Sequence, residues 1–167
     1  GFMSETIFSN GVRAERPLDL SIATPFFRND PSQLLDILSC QMTGEAVELI
    51  VIDDGSQDPS VTTKIESTLQ NLSVPASLIK LHANQGRSAA RNRLITGAKA
   101  PVILFLDSDM APDSPNFVAE WLKLARDPTT EIAYGGFSTL QVPDCAALAL
   151  AKMVAEKSDC SSATERQ

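Results

Sequence analysis

Histidine and cysteine are nearly missing from this chain: its 167 residues hold one histidine, His82, and three cysteines, Cys40, Cys145 and Cys160. An odd number of cysteines at wide, unpatterned spacing supplies neither a disulfide framework nor a zinc site. A reducing compartment is the simplest setting for them. His82 has no second ligand at metal-binding spacing and reads as structural, and Cys40 reads as a core thiol. Positive charge is also short, with 14 Lys and Arg against 21 Asp and Glu for a formal net charge of −7. A surface of that sign excludes nucleic acid or an anionic membrane as the partner of the whole surface. Long apolar runs are absent: Val102–Leu106 is far too short to cross a bilayer. No basic-then-apolar leader opens the chain, so no secretory signal is expected. The expected location is the cytoplasm, including the cytoplasmic face of a membrane if segments outside these residues reach it.

What is present fits one soluble α/β domain. The hydrophobic fraction is 43% and the mean hydropathy −0.03, values of an ordinary globular protein large enough to bury a core. Residues 1–17 show no clear period and read as a lead-in segment. From Leu18 the rhythm is strand then helix. Leu18, Leu20 and Ile22 alternate with Asp19, Ser21 and Ala23, predicting a strand to Thr24 that Pro25 breaks. Asp30 with Pro31 reads as a helix start, followed by Leu34, Leu35, Leu38 and Met42 at helical spacing. Leu49–Ile52 is a continuous aliphatic run, the pattern of a parallel strand buried on both faces. A helix with Ile65 and Leu69 follows, then a weaker strand at Leu78–Leu81 near an edge. A helix with Ala90, Leu94 and Ala98 comes next, then a strand at Val102–Leu106 and a helix carrying Phe117, Trp121, Leu122 and Leu124. A short strand is expected across Glu131–Phe137, and a helix with a polar tail within 141–167. Four βα units in succession predict a doubly wound, mostly parallel sheet with helices on both faces.

The unusual polar residues fall at one edge of that sheet. Thr24, Asp53-Asp54 and Asp107-Ser108-Asp109 each close a predicted strand at its carboxyl end, where open α/β sheets bind ligands. Asp107 and Asp109 are two apart, so on an extended backbone both carboxylates point one way. Their repulsion is relieved by a cation, and a hard divalent ion with oxygen ligands, Mg²⁺ or Mn²⁺, suits them. Taken alone, an Asp-Ser-Asp turn is equally a solvated strand end. Arg87 and Arg91 are four apart, on one helical face near a helix start. The helix macrodipole disfavours cations there, so an anion is expected nearby, and guanidinium groups match phosphate oxygens. Surface pairing with Asp or Glu is the bland alternative for both, and Arg93 reads as plain surface. Asp53-Asp54-Gly55-Ser56 is either a simple turn or an acceptor for a base or ribose.

Together these segments resemble the family 2 glycosyltransferases of GT-A fold. The resemblance runs from about Leu18 to Phe137. It rests on Ser21-Ile22-Ala23-Thr24-Pro25-Phe26, on Gln41, and on Glu48 through Ser56. It continues with Asn84-x-Gly86-x-x-x-Ala90-Arg91-Asn92, Ala98 and Phe105-Leu106-Asp107-Ser108-Asp109. It implies an enzyme of hexosyltransferase type, inverting, in glycan or polysaccharide synthesis. The donor is a nucleoside diphosphate sugar, commonly UDP-linked, and the acceptor a saccharide or other molecule. By this resemblance Thr24 and Phe26 line the base pocket, Asp54 accepts from the base, and Arg91 sits against the nucleotide, where Arg87, read from its helix position, joins it. Asp107 and Asp109 serve the sugar-ribose end and a divalent metal, Mn²⁺ or Mg²⁺, with Asp109 the more direct ligand.

Two departures matter. Ala100-Pro101 stands where the family commonly has a glycine-acid pair. Gly135-Gly136-Phe137 is followed by Ser138 rather than an acid and comes too early for the family's acceptor segment. The general base is therefore expected beyond Gln167, and the fold is expected in truncated form: 18–140 binds donor and 141–167 leads toward an acceptor half. Two other readings stand beside this one. A haloacid-dehalogenase-like phosphatase also uses D-x-D, but normally has Thr or Val where Ala111 lies. A nucleotide-binding module without chemistry is the other. A dinucleotide-binding domain is disfavoured, because no G-x-G-x-x-G follows the first strand.

Overall fold

The computed structural model describes residues 4–42 and 46–127, and the backbone of 153–157. Among the described residues six strands form one sheet in the order β1-β4-β3-β2-β5-β6. They are β1 (Glu5–Ser9), β2 (Leu20–Phe26), β3 (Val47–Asp53), β4 (Ala76–Leu81), β5 (Val102–Leu106) and β6 (Met153–Lys157). The four central strands are parallel; β1 and β6 are antiparallel edges. The described residues also form four helices: α1 (Ser32–Ser39), α2 (Pro59–Gln70), α3 (Arg87–Gly97) and α4 (Phe117–Arg126). The expected doubly wound architecture is present.

Alternation along the strands divides the core between two faces. Leu20, Ile22, Leu49, Val51, Leu104 and Leu106 pack under α1, α2 and α4, with Trp121 and Leu34 at the centre. Ala23, Ile50, Ile52, Ile103 and Phe105 pack under α3 through Ala90 and Leu94. Every residue of β3 and β5 is buried, which is why Leu49–Ile52 and Val102–Leu106 read as unbroken apolar runs. Among the described residues no helix is long and apolar enough to cross a membrane.

The chain departs from the sequence reading in five places. The strand expected to stop at Thr24 continues through Pro25 to Phe26. Proline is tolerated because the ladder to β5 ends at Ala23–Phe105, so no partner there needs the missing N–H. Part of the lead-in, residues 5–9, is a strand paired to β4, so β4 is not an edge. Three contacts secure it. Glu5 accepts from Arg93 at 2.7 and 2.9 Å, both ring nitrogens of His82 lie 2.7 Å from the Ser4 and Thr6 hydroxyls, and Asn10 Nδ2 donates to the carbonyls of Leu69 and Val74. Arg93 is therefore a strut rather than plain surface, and its guanidinium lowers the pKa of the Glu5 carboxyl. Cys40 is exposed, because α1 ends one residue before it; Cys145 and Cys160 lie outside the described residues. Within 141–167, Met153–Lys157 is a strand rather than part of a helix, since the outer edge of β5 carries backbone groups that need partners. The strand expected at Glu131–Phe137 lies outside the described residues.

Helix starts follow local chemistry. Asp58 caps α2 by accepting from the amides of Ser60 and Val61, with Pro59 at the first position. Asp30 accepts from the Ser32 amide and hydroxyl ahead of α1 and from Lys64 of α2 at 2.7 Å. The Lys64 ammonium and the Ser32 hydroxyl hold the Asp30 carboxyl down, to about 2. A lowered folded-state pKa contributes stability that is present above the unfolded value, about 3.9, and lost as pH falls through about 2. In acid titrations followed by melting temperature, Lys64→Ala is expected to flatten the dependence in that window. The exposure of the pair keeps the effect small.

Candidate functional site

The chain runs from β2 outward through β3 to β4, and α3 then carries it back to β5 on the other side of β2. Strand order reverses between β2 and β5, and the crevice outside their carboxyl ends is where such sheets bind ligands. A cavity of about 560 Å³ lies at the carboxyl ends of these strands, lined among others by Phe26, Phe27, Asn29, Asp54, Arg87, Asp107 and Asp109.

Its floor is built by cross-linked loops. Asp54 is buried at the end of β3, and its carboxylate accepts from the Gln85 amide (2.8 Å), the Gly86 amide (3.1 Å) and Asn84 Nδ2 (3.1 Å). These bonds fix the turn that starts α3, and Gly86 supplies the left-handed backbone it needs, φ 99°. Beside it, Gly55 at φ 85° sits against the backbone of Ala83 and Asn84. Gln57 Nε2 donates to the His82 carbonyl at 2.8 Å. Asp53 accepts from the Ser56 amide, and the Ser56 hydroxyl accepts from the Arg28 amide at 2.6 Å. That contact secures Arg28 at φ 55°, an uncommon conformation for a residue other than glycine.

The β5 wall carries Asp107-Ser108-Asp109. Met110 closes the turn by donating to the Asp107 carbonyl at 3.1 Å and buries its side chain. Asn29 Nδ2 donates to the Ser108 hydroxyl at 2.5 Å, joining the two sides of the crevice. Farther along, Gln41 at the end of α1 donates to the Ser114 carbonyl and accepts from the Val118 amide, both at 3.0 Å. The cap residue Asn116 makes no side-chain cap, so Gln41 satisfies an orphan amide of α4 from another helix. The turn is thereby tied to both α1 and β2.

Of the residues expected from sequence, Phe26, Asp54, Arg87, Asp107 and Asp109 meet in the cavity wall. Arg87 Nη2 lies 3.4 Å from Asp107 Oδ1. Thr24 and Arg91 are not among the residues that line the cavity. Thr24 is wholly buried, and among the described residues its hydroxyl has no hydrogen-bond partner. Arg91 stacks its guanidinium 4.8 Å from the centroid of Phe105. Phe27 and Asn29 also line the cavity and were not anticipated; Asn84 and Ser108, noted in sequence only as parts of their motifs, line it with them. Phe27 is the exposed ring at 37%, with Arg28 on it at 4.8 Å, whereas Phe26 borders the cavity while packing mostly in the core. The aromatic pair was visible in sequence; the continuation of β2 through Pro25 decides which ring faces out.

Among the described residues no three His, Cys, Asp or Glu side chains cluster as a closed metal cage. The oxygen donors offered are the carboxylates of Asp107 and Asp109, both in the cavity wall. That set fits a Mg²⁺- or Mn²⁺-type ion, which is commonly held by one or two carboxylates and completed by water and substrate phosphates.

The sequence profile described as Glycosyl transferase family 2 matches residues 21–141. The chain belongs to that family. The matched region contains the Asp54, Arg87 and Asp107–Asp109 clusters together, and the phosphatase alternative falls with it. An uncharacterized glycosyltransferase of Haemophilus influenzae is 36% identical over 91 residues, covering 54% of this chain and 36% of that protein. Glucosyl-3-phosphoglycerate synthase of Mycobacterium tuberculosis is 28% identical over 105 residues, covering 62% and 32%. This chain thus spans about a third of the length of these relatives. Among solved structures, mannosyltransferase PcManGT of Pyrobaculum calidifontis, in complex with GDP-Man and Mn²⁺, superposes with TM-score 0.60 at 20% identity, covering 75% of this chain and 38% of that one. S. aureus TarS 1–349 in complex with UDP-GlcNAc superposes with TM-score 0.57 at 21% identity, covering 75% and 37%. The fold of this chain is the GT-A fold of those structures.

Proposed function

We propose that residues 18–140 are the donor-binding part of an inverting glycosyltransferase. The donor is a nucleoside diphosphate sugar, UDP-linked in the first instance, and the acceptor a saccharide or other molecule in glycan synthesis. The observation that carries this is the cavity at the strand-order reversal, with paired carboxylates on one wall and Arg87 at a helix start on the other. Phe27 offers an aromatic face for the base, alongside Phe26 and Asp54. Arg87 and the start of α3 face the diphosphate. Asp107 and Asp109 hold the divalent metal, with Asp107 also reaching the sugar-ribose end. The bound metal supplies Lewis-acid stabilisation of the diphosphate leaving group. Thr24 and Arg91 complete the nucleotide side of the site, Thr24 near the end of β2 and Arg91 one helical turn after Arg87.

The acidic base that activates the acceptor is assigned to chain beyond Gln167, so residues 1–167 bind donor without transferring sugar. Incubation with UDP- and GDP-sugars, Mn²⁺ and mixed oligosaccharide acceptors is expected to give no glycosylated product. Thermal melting in the same buffers is expected to show stabilisation by one nucleoside diphosphate over the other. Robust transfer by this fragment would overturn the donor-only assignment, and indifference to both nucleotides would overturn the donor site itself.

A further inference from the structure

Arg87 occupies a position that helix physics disfavours. It is the first residue of α3, where the macrodipole already presents positive charge. Its guanidinium reaches across the cavity to the Asp107 carboxylate at 3.4 Å. The contact is loose: the distance is long for an N–H···O bond, and the two side chains are 86% and 40% exposed. Exposed pairs of this kind contribute little to stability, so this one is not a strut of the fold. Elsewhere in the cavity the polar contacts are committed ones, as with Asp54 and its three donors. Arg87 and Asp107 differ in being held to each other only weakly across the space a ligand must enter. Each also carries the charge that suits one half of a metal–diphosphate ligand.

We propose that Arg87 and Asp107 are exchange partners, with the guanidinium standing in for the cation at Asp107 while the site is empty. On ligand entry the Asp107 carboxylate turns to the metal and Arg87 turns to the phosphate oxygens. The inference rests on the donor-site reading above. It has a consequence that simple lining residues lack. A metal ion arriving alone competes with Arg87, whereas a diphosphate removes that competitor, so each ligand favours the other, and the coupling is reciprocal.

The test compares wild type, Arg87→Gln and Arg87→Lys at low ionic strength. Mn²⁺ binding without nucleotide is read from the electron paramagnetic resonance signal of the free ion, and UDP binding in saturating Mn²⁺ is read by calorimetry. Arg87→Gln is expected to bind Mn²⁺ alone about two- to fivefold more tightly, the scale of an exposed ion pair. The same variant is expected to bind UDP about tenfold more weakly, the scale of a charged hydrogen bond. Arg87→Lys retains the charge and is expected to keep wild-type Mn²⁺ affinity, and high salt is expected to shrink the gain in the glutamine variant. Wild type binding both ligands while Arg87→Gln shows no gain for Mn²⁺ would overturn the exchange alone. Wild type binding neither Mn²⁺ nor any nucleoside diphosphate would overturn the donor site and the exchange together.

Discussion

Gly55→Ala is expected to destabilise the domain by about 3 kcal/mol or more, from a clash of about 1–3 kcal/mol added to left-handed backbone strain. At this chain length that lowers the melting temperature by about 10 °C. An alanine Cβ at this position would lie 2.4 Å from both the Ala83 carbonyl carbon and the Asn84 amide nitrogen. Both are backbone atoms, so no side chain can swing aside. The φ of 85° adds strain that alanine accepts poorly. The loop that must move leads into α3 and Arg87, so nucleotide affinity should fall along with stability. Gly11, at φ 76° with nothing near its Cβ position, is the control: Gly11→Ala carries the strain without the clash and should lose much less. Equal melting of the two variants would mean that the packing of Gly55 against Ala83 is not a constraint.

Asp54→Ala is the second large effect. It strips the acceptor from the Gln85 and Gly86 amides, while Asn84 Nδ2 retains only the Asp54 carbonyl at 3.0 Å. Part-buried donors left unpaired cost about 1–3 kcal/mol each, so a total of about 3 kcal/mol is expected. Asp54→Asn keeps one acceptor oxygen but turns an NH₂ group toward amides that also donate, and it should fall between alanine and wild type. Chemical denaturation gives the stability order. Calorimetry with nucleotide, on the folded fraction at low temperature, gives the effect on the site. An Asp54→Ala variant with unchanged stability would show that the start of α3 is fixed by something else.

The same two residues show what sequence can and cannot reveal. β3 and β5 were legible because strands buried on both faces have no polar side to interrupt them. Their ends, and therefore Asp54 and Asp107–Asp109, were legible with them. The partners of Asp54 were not, because three donors some thirty positions away carry no spacing signal. β1 was illegible for a related reason. Ile7 is 52% exposed and the strand is held largely by polar contacts to His82 and Arg93, so no hydrophobic period marks it. Phe27 was hidden behind Phe26 by one residue, because Pro25 looked like the end of a strand whose ladder in fact tolerates it. Thr24 and Arg91 belong to the family pattern by sequence; the structure adds that Thr24 is buried and that the Arg91 guanidinium stacks on Phe105.

The central claim is that Asp107 and Asp109 bind a nucleoside diphosphate through a divalent metal, and calorimetric titration of UDP and GDP with and without Mn²⁺ tests it most directly. In wild type, Mn²⁺ should strengthen binding of the preferred nucleotide. At a hundred times its dissociation constant that ligand should stabilise the fold by about 2.7 kcal/mol. In Asp109→Ala, measured on folded protein, the Mn²⁺-dependent part should disappear, because Asp109 lies exposed at the cavity wall. Binding that is indifferent to Mn²⁺, or that survives unchanged in Asp109→Ala, would contradict it.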